Sequence, residues 1–225
     1  MVPHRKFSVN EQEFLILIDI EIFRNREPGP IGVFRKSAVM LLIQETAEGP
    51  VLVLEKRALT MRSQPGDISL PGGRIDPGET NKEAAIRETC EELGILEKDL
   101  EVIGPMDFFV THFGAIIYPF VSRTKVTQFR PNPPEVDELL FVPLEDLLQQ
   151  VPDVFILKVK PQLDDTFPYH RIHGGRDYKF SEPEVEEYFY HFNGHHIWGT
   201  TARIIHEFLM ILRQQDHEIK DESWK

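Results

Sequence analysis

The stretch from Pro71 to Gly94 limits what this chain can fold into more than any other. Pro71-Gly72-Gly73 and Asp76-Pro77-Gly78 are turn sequences. Thr80 followed by Glu83 is a capping box that predicts a helix running to about Leu93, and Gly94 stands where such a helix stops. At roughly 100° per residue, Glu88, Glu91 and Glu92 fall on one side. Ile86, Thr89 and Leu93 fall on the adjacent side, which suits packing on a sheet. Like charges three and four positions apart destabilise a helix by about a few tenths of a kcal/mol per pair, a sign that a divalent cation reverses. Glu88 and Glu92, one turn apart, offer oxygen ligands suited to Mg²⁺ or Mn²⁺. A solvated acidic face is the commoner origin of such a cluster, so the glutamates alone leave both readings open.

The overall charge narrows the partners. Lys and Arg total 25 against 37 Asp and Glu, a formal net charge of −12, which argues against nucleic acid and against an anionic membrane face. A polyanionic small molecule then requires a bound cation or a few placed arginines. The most apolar run, residues 14–22, carries Asp19 and Glu21 and does not suit a bilayer span. The start of the chain lacks the apolar stretch of a secretory signal, and a single cysteine, Cys90, fits a reducing compartment, so the cytoplasm is the expected location. The 41% apolar share in 225 residues is enough to fill one core.

Along the chain, Ser8 and Glu11 form a capping box before Phe14, Leu15, Leu17, Ile18 and Ile22, predicting an N-terminal helical extension over residues 1–30. Residues 31–225 are expected to form a single α/β domain. Strands are predicted at 37–43, 51–54, 102–109, 114–121, 139–142 and 187–192, with a short helix over 143–148. Residues 160–183, rich in Pro, Gly, Asp and His, read as an irregular insertion. Ala202, Ile205, Phe208, Leu209 and Leu212 fall at helical spacing in a last helix opened by Gly199-Thr200-Thr201.

The spacing around the acidic helix adds to this. Gly73, five residues, Glu79, seven residues, then Arg87-Glu88-Thr89-Cys90-Glu91-Glu92-Leu93-Gly94-Ile95 resembles the Nudix box over its 23 positions, with Thr89 where the pattern usually has an aliphatic residue. The resemblance implies an α/β/α sandwich around a mixed sheet and hydrolysis of a nucleoside diphosphate linked to another group. It implies that Glu88 and Glu92 bind the metal, that Glu91 serves a second metal or base catalysis, and that a carbonyl of Gly72 or Gly73 completes the shell. Arg87 is then expected to anchor the loop by pairing with Glu79. Water attack on a charged phosphorus is slowed by repulsion, which metals offset by neutralising oxygens and acidifying the attacking water.

Upstream, residues 53–73 are similar to the additional motif of the coenzyme A pyrophosphatase branch of that family. Arg57, Arg62 and Gly66 fall on its two arginines and its glycine, while Val53, Glu55, Ala58 and Leu70 depart from its usual Leu, Thr, Ser and Phe. Trp198-Gly199-Thr200-Thr201-Ala202 resembles the start of that branch's terminal helix. Arg57 and Arg62 suit a forked grip on phosphate, with an ordinary salt bridge as the alternative for either singly. Gly66 suits close backbone approach, with a plain Pro-Gly turn as the alternative.

Several other groups weigh less. His191, His195 and His196 read as structural or solvent-facing, because no cysteine stands near to complete a zinc set. Glu135, Asp137 and Glu138 are candidates for a base from outside the box, against a solvated loop. Cys90 reads as a packing residue. The branch resemblance implies a Mg²⁺- or Mn²⁺-dependent enzyme that cuts coenzyme A and its acyl forms to adenosine 3′,5′-bisphosphate and 4′-phosphopantetheines. Hydrolysis of ADP-ribose, NADH or another nucleoside diphosphate derivative is the rival activity, and a non-catalytic nucleotide-binding module is the rival class. Oligomeric state is left open.

Overall fold

The computed structural model describes residues 23–222 and divides the chain into Met1–Val33 and Phe34–Lys225. The helix expected over the first capping box lies outside the described residues. Of the first unit, residues 23–33 are described, with a turn closed by Arg26 N–H donating to the Phe23 carbonyl at 3.3 Å.

The second unit is organised by two long apolar strands. In β1 (Arg35–Thr46), Ala38, Met40 and Leu42 face one core cluster and Leu41 faces another. In β2 (Gly49–Arg57), Val53 joins the first cluster and Leu52 and Leu54 the second. This is the period of two expected of strands covered on both faces. The register agrees, since Leu42 stands opposite Val53 and Ile43 opposite Leu52. Each of these fully buried leucines contributes about 1.5–3 kcal/mol relative to exposure.

Around this pair an eight-stranded sheet is built in the order β3-β2-β1-β7-β5, with β4 on β1, β6 on β7 and β8 on β2. The added strands are β3 (Ile68–Ser69), β4 (Gly72–Arg74), β5 (Glu101–Pro105), β6 (Phe109–Val110), β7 (Ala115–Thr124) and β8 (Val136–Pro143). The pair β1–β7 is parallel and the other pairs are antiparallel, so the sheet is mixed.

Helix α1 (Asn81–Leu93) covers one face through Ala84, Ala85 and Leu93. Its N-cap is Thr80 in a complete capping box with Glu83, and Gly94 ends it in the left-handed conformation. Thr89, where the pattern usually has an aliphatic residue, is fully buried and donates its hydroxyl to the Ala85 carbonyl at 2.6 Å, which removes the cost of burying it.

The other face is covered by α2 (Leu144–Gln149) and by α3 (Gly199–Glu222), which inserts Ala202, Ile205, Phe208 and Leu209. Helices on both faces of one mixed sheet make an α/β/α sandwich. A second, three-stranded sheet carries β11 (His195–Ile197), β10 (Glu184–Phe192) and β9 (Asp153–Lys158) in that order. The segment between β9 and β10 is irregular apart from two short 3₁₀ turns, Tyr169–Arg171 and Gly175–Asp177. Among the described residues no helix is long and apolar enough to cross a membrane.

Candidate active site

The site begins where β2 leaves the sheet. Beyond Arg57 the chain turns and returns as β3, closed by Gly66 N–H donating to the Arg57 carbonyl at 3.0 Å and Arg57 N–H to the Asp67 carbonyl at 2.9 Å. Gly66 has φ +78°, which favours glycine. The Arg57 guanidinium donates from Nε and Nη2 to the Ser63 carbonyl at 3.4 Å each, long and weak bonds. Arg62 is exposed and makes no ion pair among the described residues.

The next turn places backbone against carboxylates. Gly72 and Gly73 lie opposite Val39 and Ala38 of β1. Gly72 N–H donates to Glu92 Oε2 at 2.7 Å. A Cβ on Gly73 would fall 2.5 Å from the carboxyl carbon of Glu88. Two residues without side chains are therefore what lets the acidic face of α1 approach the sheet.

Arg87 ties the helix to the loop before it. Its Nε and Nη2 donate to Glu79 Oε1 and Oε2 at 2.9 and 3.1 Å, and Nη2 also reaches the Arg74 carbonyl at 3.0 Å. Nη1 donates to Glu88 Oε1 at 2.8 Å and to Glu91 Oε2 at 3.4 Å. The hydrogen bond from Arg87 is the chief reason Glu79 is held below the usual carboxylate range. For Glu88 burial outweighs the pull of Arg87 and raises its carboxyl, helped by Glu91 and Glu135. Glu91 is the outermost acid, its side chain 57% exposed.

Behind them lies a pair of buried acids. Glu92 is 5% exposed and Glu55 of β2 is 1% exposed. Burial raises both carboxyls; for Glu92 the next largest cause is the charge of Glu55. Ser69 donates its hydroxyl to Glu55 Oε1 at 3.0 Å, while Glu55 Oε2 is buried with no N–H or hydroxyl donor and has only the Glu92 carboxyl within hydrogen-bonding reach.

A fifth acid joins from the loop before β8. Asn132 N–H donates to the Glu92 carbonyl and Arg130 N–H to the Leu93 carbonyl, each at 2.9 Å, which seals the end of α1. The same loop brings in Glu135, fixed by Asn132 Nδ2 at 2.8 Å and close enough for its charge to raise Glu55, Glu88 and Glu92. Its two companions are drawn elsewhere. Asp137 pairs with Lys56 at 2.7 Å, and Glu138 lies 3.9 Å from His195.

The histidines form a separate group on the second sheet. His196 Nδ1 and His191 Nδ1 stand 2.8 Å apart, and His191 Nε2 lies 3.0 Å from Asp153. Cys90 is half-buried, and burial raises its thiol, the opposite of an activated nucleophile.

The sequence pattern placed Glu88, Glu91 and Glu92 on one helix face, and the structure adds Glu55 and Glu135 beside it. Glu55 stood out only as a departure from the branch motif, since its burial against Glu92 is a tertiary fact. All five acids offer hard oxygens, two are deeply buried, and one oxygen has no donor, so their chemistry fits a divalent cation. As placed, no three metal-ligating side chains converge on one point among the described residues. Arg87 draws on Glu88 and the Gly72 N–H holds Glu92, so closing around an ion requires side-chain rotation.

Comparison with known proteins agrees in kind. A family model described as the NUDIX domain matches residues 33–163. The chain is similar to "Nudix hydrolase 3" of Caenorhabditis elegans, 27% identical over 175 residues that cover 72% of this chain and 66% of that protein. It is 30% identical over 160 residues to "Uncharacterized Nudix hydrolase NudL" of Photorhabdus laumondii, covering 70% and 75% of the two chains. It is 31% identical over 182 residues to human "Mitochondrial coenzyme A diphosphatase NUDT8", covering 78% and 68%.

Proposed function

The chain belongs to the Nudix hydrolase family, and on that premise we propose that it is a divalent-cation-dependent pyrophosphohydrolase acting on coenzyme A and its acyl derivatives. The observation that carries the proposal is the surplus of carboxylates at one point of the fold. Glu55, Glu88, Glu91, Glu92 and Glu135 lie together with Arg87 as their main counter-charge, and Arg57 stands at the edge. Such a surplus is unfavourable alone and becomes favourable with a cation in it.

Glu88, Glu92 and Glu91, with the Gly73 carbonyl, would hold Mg²⁺ or Mn²⁺. When bound, the ion neutralises phosphate oxygens and acidifies the attacking water. Glu79 contributes by fixing Arg87, which in turn orients Glu88 and Glu91. Glu135, carried by a separate loop and held by Asn132, would accept a proton beside these acids.

Arg57 and Arg62 would take the diphosphate. The Arg57 fork is engaged only by weak bonds to Ser63, which a doubly charged phosphate outcompetes. Gly66 closes the turn that carries Arg62 by donating its N–H to the Arg57 carbonyl. The coenzyme A assignment rests on the Arg57, Arg62 and Gly66 spacing and on the likeness to the human coenzyme A diphosphatase.

The test is product analysis with Mg²⁺ or Mn²⁺ on coenzyme A, an acyl-coenzyme A, ADP-ribose and NADH. Formation of adenosine 3′,5′-bisphosphate and the matching 4′-phosphopantetheine is expected. Intact coenzyme A beside hydrolysed ADP-ribose or NADH would replace the substrate and keep the reaction. Nucleotide binding by calorimetry with no turnover of any compound would make the chain a binding module.

A further inference from the structure

We propose that Glu55 is an additional ligand of the divalent cation, reaching it from the sheet side of the acidic helix. The proposal rests on the reading of the site as cation-dependent and adds to it a residue that lies outside the helix and outside the box spacing.

The placement of Glu55 follows from strand geometry. Leu52 and Leu54 face the α3 side of the sheet and Val53 faces the α1 side, so the period of two turns Glu55 toward α1. There its side chain is 1% exposed. The register of β2 with β3 sets Glu55 opposite Ser69, whose hydroxyl accounts for Oε1.

Oε2 accepts from no N–H or hydroxyl, and the group within its hydrogen-bonding reach is another buried carboxyl, Glu92. Neither Arg57, whose charge is felt at Glu55, nor Arg87 forms an ion pair with these two acids. Arg57 is turned to Ser63, and Arg87 is committed to Glu79, Glu88 and Glu91. A strand-borne carboxylate kept in this position is costly unless something positive meets its free oxygen. The branch motif has a neutral Thr here, so this chain carries one more anionic ligand than that motif supplies.

One competing arrangement places a proton between Glu55 and Glu92 and gives the pair a structural role only. Glu55→Gln separates the two. The amide has the shape and the donor of a protonated carboxyl but is a poor ligand for a hard cation. A shared proton therefore predicts unchanged cation binding, and direct ligation predicts its loss.

The experiment titrates Mn²⁺ into the full chain without substrate, read by electron paramagnetic resonance and calorimetry, for the wild type, Glu55→Gln and Glu55→Thr. Binding at least tenfold weaker in Glu55→Gln, with its metal-free circular dichroism and melting preserved, is expected. Equal affinity in Glu55→Gln overturns the proposal, including where Glu55→Thr alone binds more weakly, since that loss is one of packing. Wild type that binds no Mn²⁺ overturns both the cation-dependent reading and this addition to it. A wild-type crystal structure with Mn²⁺ gives a readout independent of any variant. A Glu55 oxygen directly on the ion is expected, and a Glu55 bonded only to Ser69 and Glu92 overturns the assignment.

Discussion

Gly72 donates its backbone N–H to Glu92 Oε2 across 2.7 Å, joining the turn before the helix to the last acid on it, 20 positions away. The bond fixes Glu92 against the sheet. It also supplies a donor to a carboxylate that burial and Glu55 otherwise push toward its neutral form.

Replacing that carboxylate by an amide keeps the bond and removes the charge. Glu92→Gln is expected to fold normally and to lose more than about a hundredfold in kcat, because altering an outer partner of a metal ligand alone costs about 10–100-fold. Steady-state kinetics with a thermal melt checks it. A normal rate would deny Glu92 any part in holding the cation.

The glycines before the helix are expected to respond differently. A Cβ on Gly72 would run into the Ala38 carbonyl and the Val39 backbone, and φ is +145°, so Gly72→Ala should destabilise by more than about 1 kcal/mol. On Gly73 the obstacle is the Glu88 carboxyl, the far end of a side chain that can swing away. Gly73→Ala should therefore lose Mn²⁺ affinity with a smaller change in urea midpoint. Equal loss of stability in both variants would count against this division of labour.

Arg87 uses both edges of its guanidinium at once, on Glu79 and on the helix acids. Lysine carries the charge but cannot reproduce the fork. Arg87→Lys is expected to lower kcat by about tenfold or more. In a double-mutant cycle with Glu79→Gln the losses should be non-additive, because both act through the same pair. Additive losses would show that the ion pair does not position the acids.

A pH effect on stability follows from His206, whose Nδ1 lies 2.9 Å from the Tyr190 hydroxyl and whose ring stacks on Tyr188. Burial holds its imidazole below the ordinary 6.5, with Arg203 and Arg213 acting in the same direction and Glu207 and Glu186 against it. Below 6.5 the unfolded chain takes up a proton that the folded chain refuses, so stability falls as pH drops from that value toward the folded one. The melting temperature of His206→Gln should fall less than that of the wild type between about pH 7.5 and about pH 5.5. Parallel melting curves would place the titration elsewhere.

What was legible in the sequence was what neighbours in the chain decide. Thr80, Glu83 and Gly94 marked both ends of α1 because capping is local chemistry, and the long apolar runs marked β1 and β2. Strands β3 and β4, two and three residues long, are too short for an alternation to register. Strand β9 carries no sequence signal because all six of its residues are exposed, so it has no inward face to set a period. The expected strand over residues 102–109 is broken into β5 and β6, joined by a stretch outside the regular ladder in which Met106 N–H still donates to the Pro119 carbonyl of β7 at 2.9 Å. In the site, spacing on one helix located three acids, whereas the approach of Glu55 and Glu135 depends on strand register and on a loop folding back over the helix end.

That loop has a mechanical consequence. Its amides hold the last carbonyls of α1 while its side chain Asn132 grips Glu135, and a Cβ on Gly94 would strike the Arg130 backbone. The helix tip and the loop acid are thus bolted to one another. If Arg57 and Arg62 take the diphosphate as proposed, tolerance for differently shaped leaving groups is expected to reside in the turn that carries them, with the backbone under Glu92 and Glu135 serving as a fixed anvil.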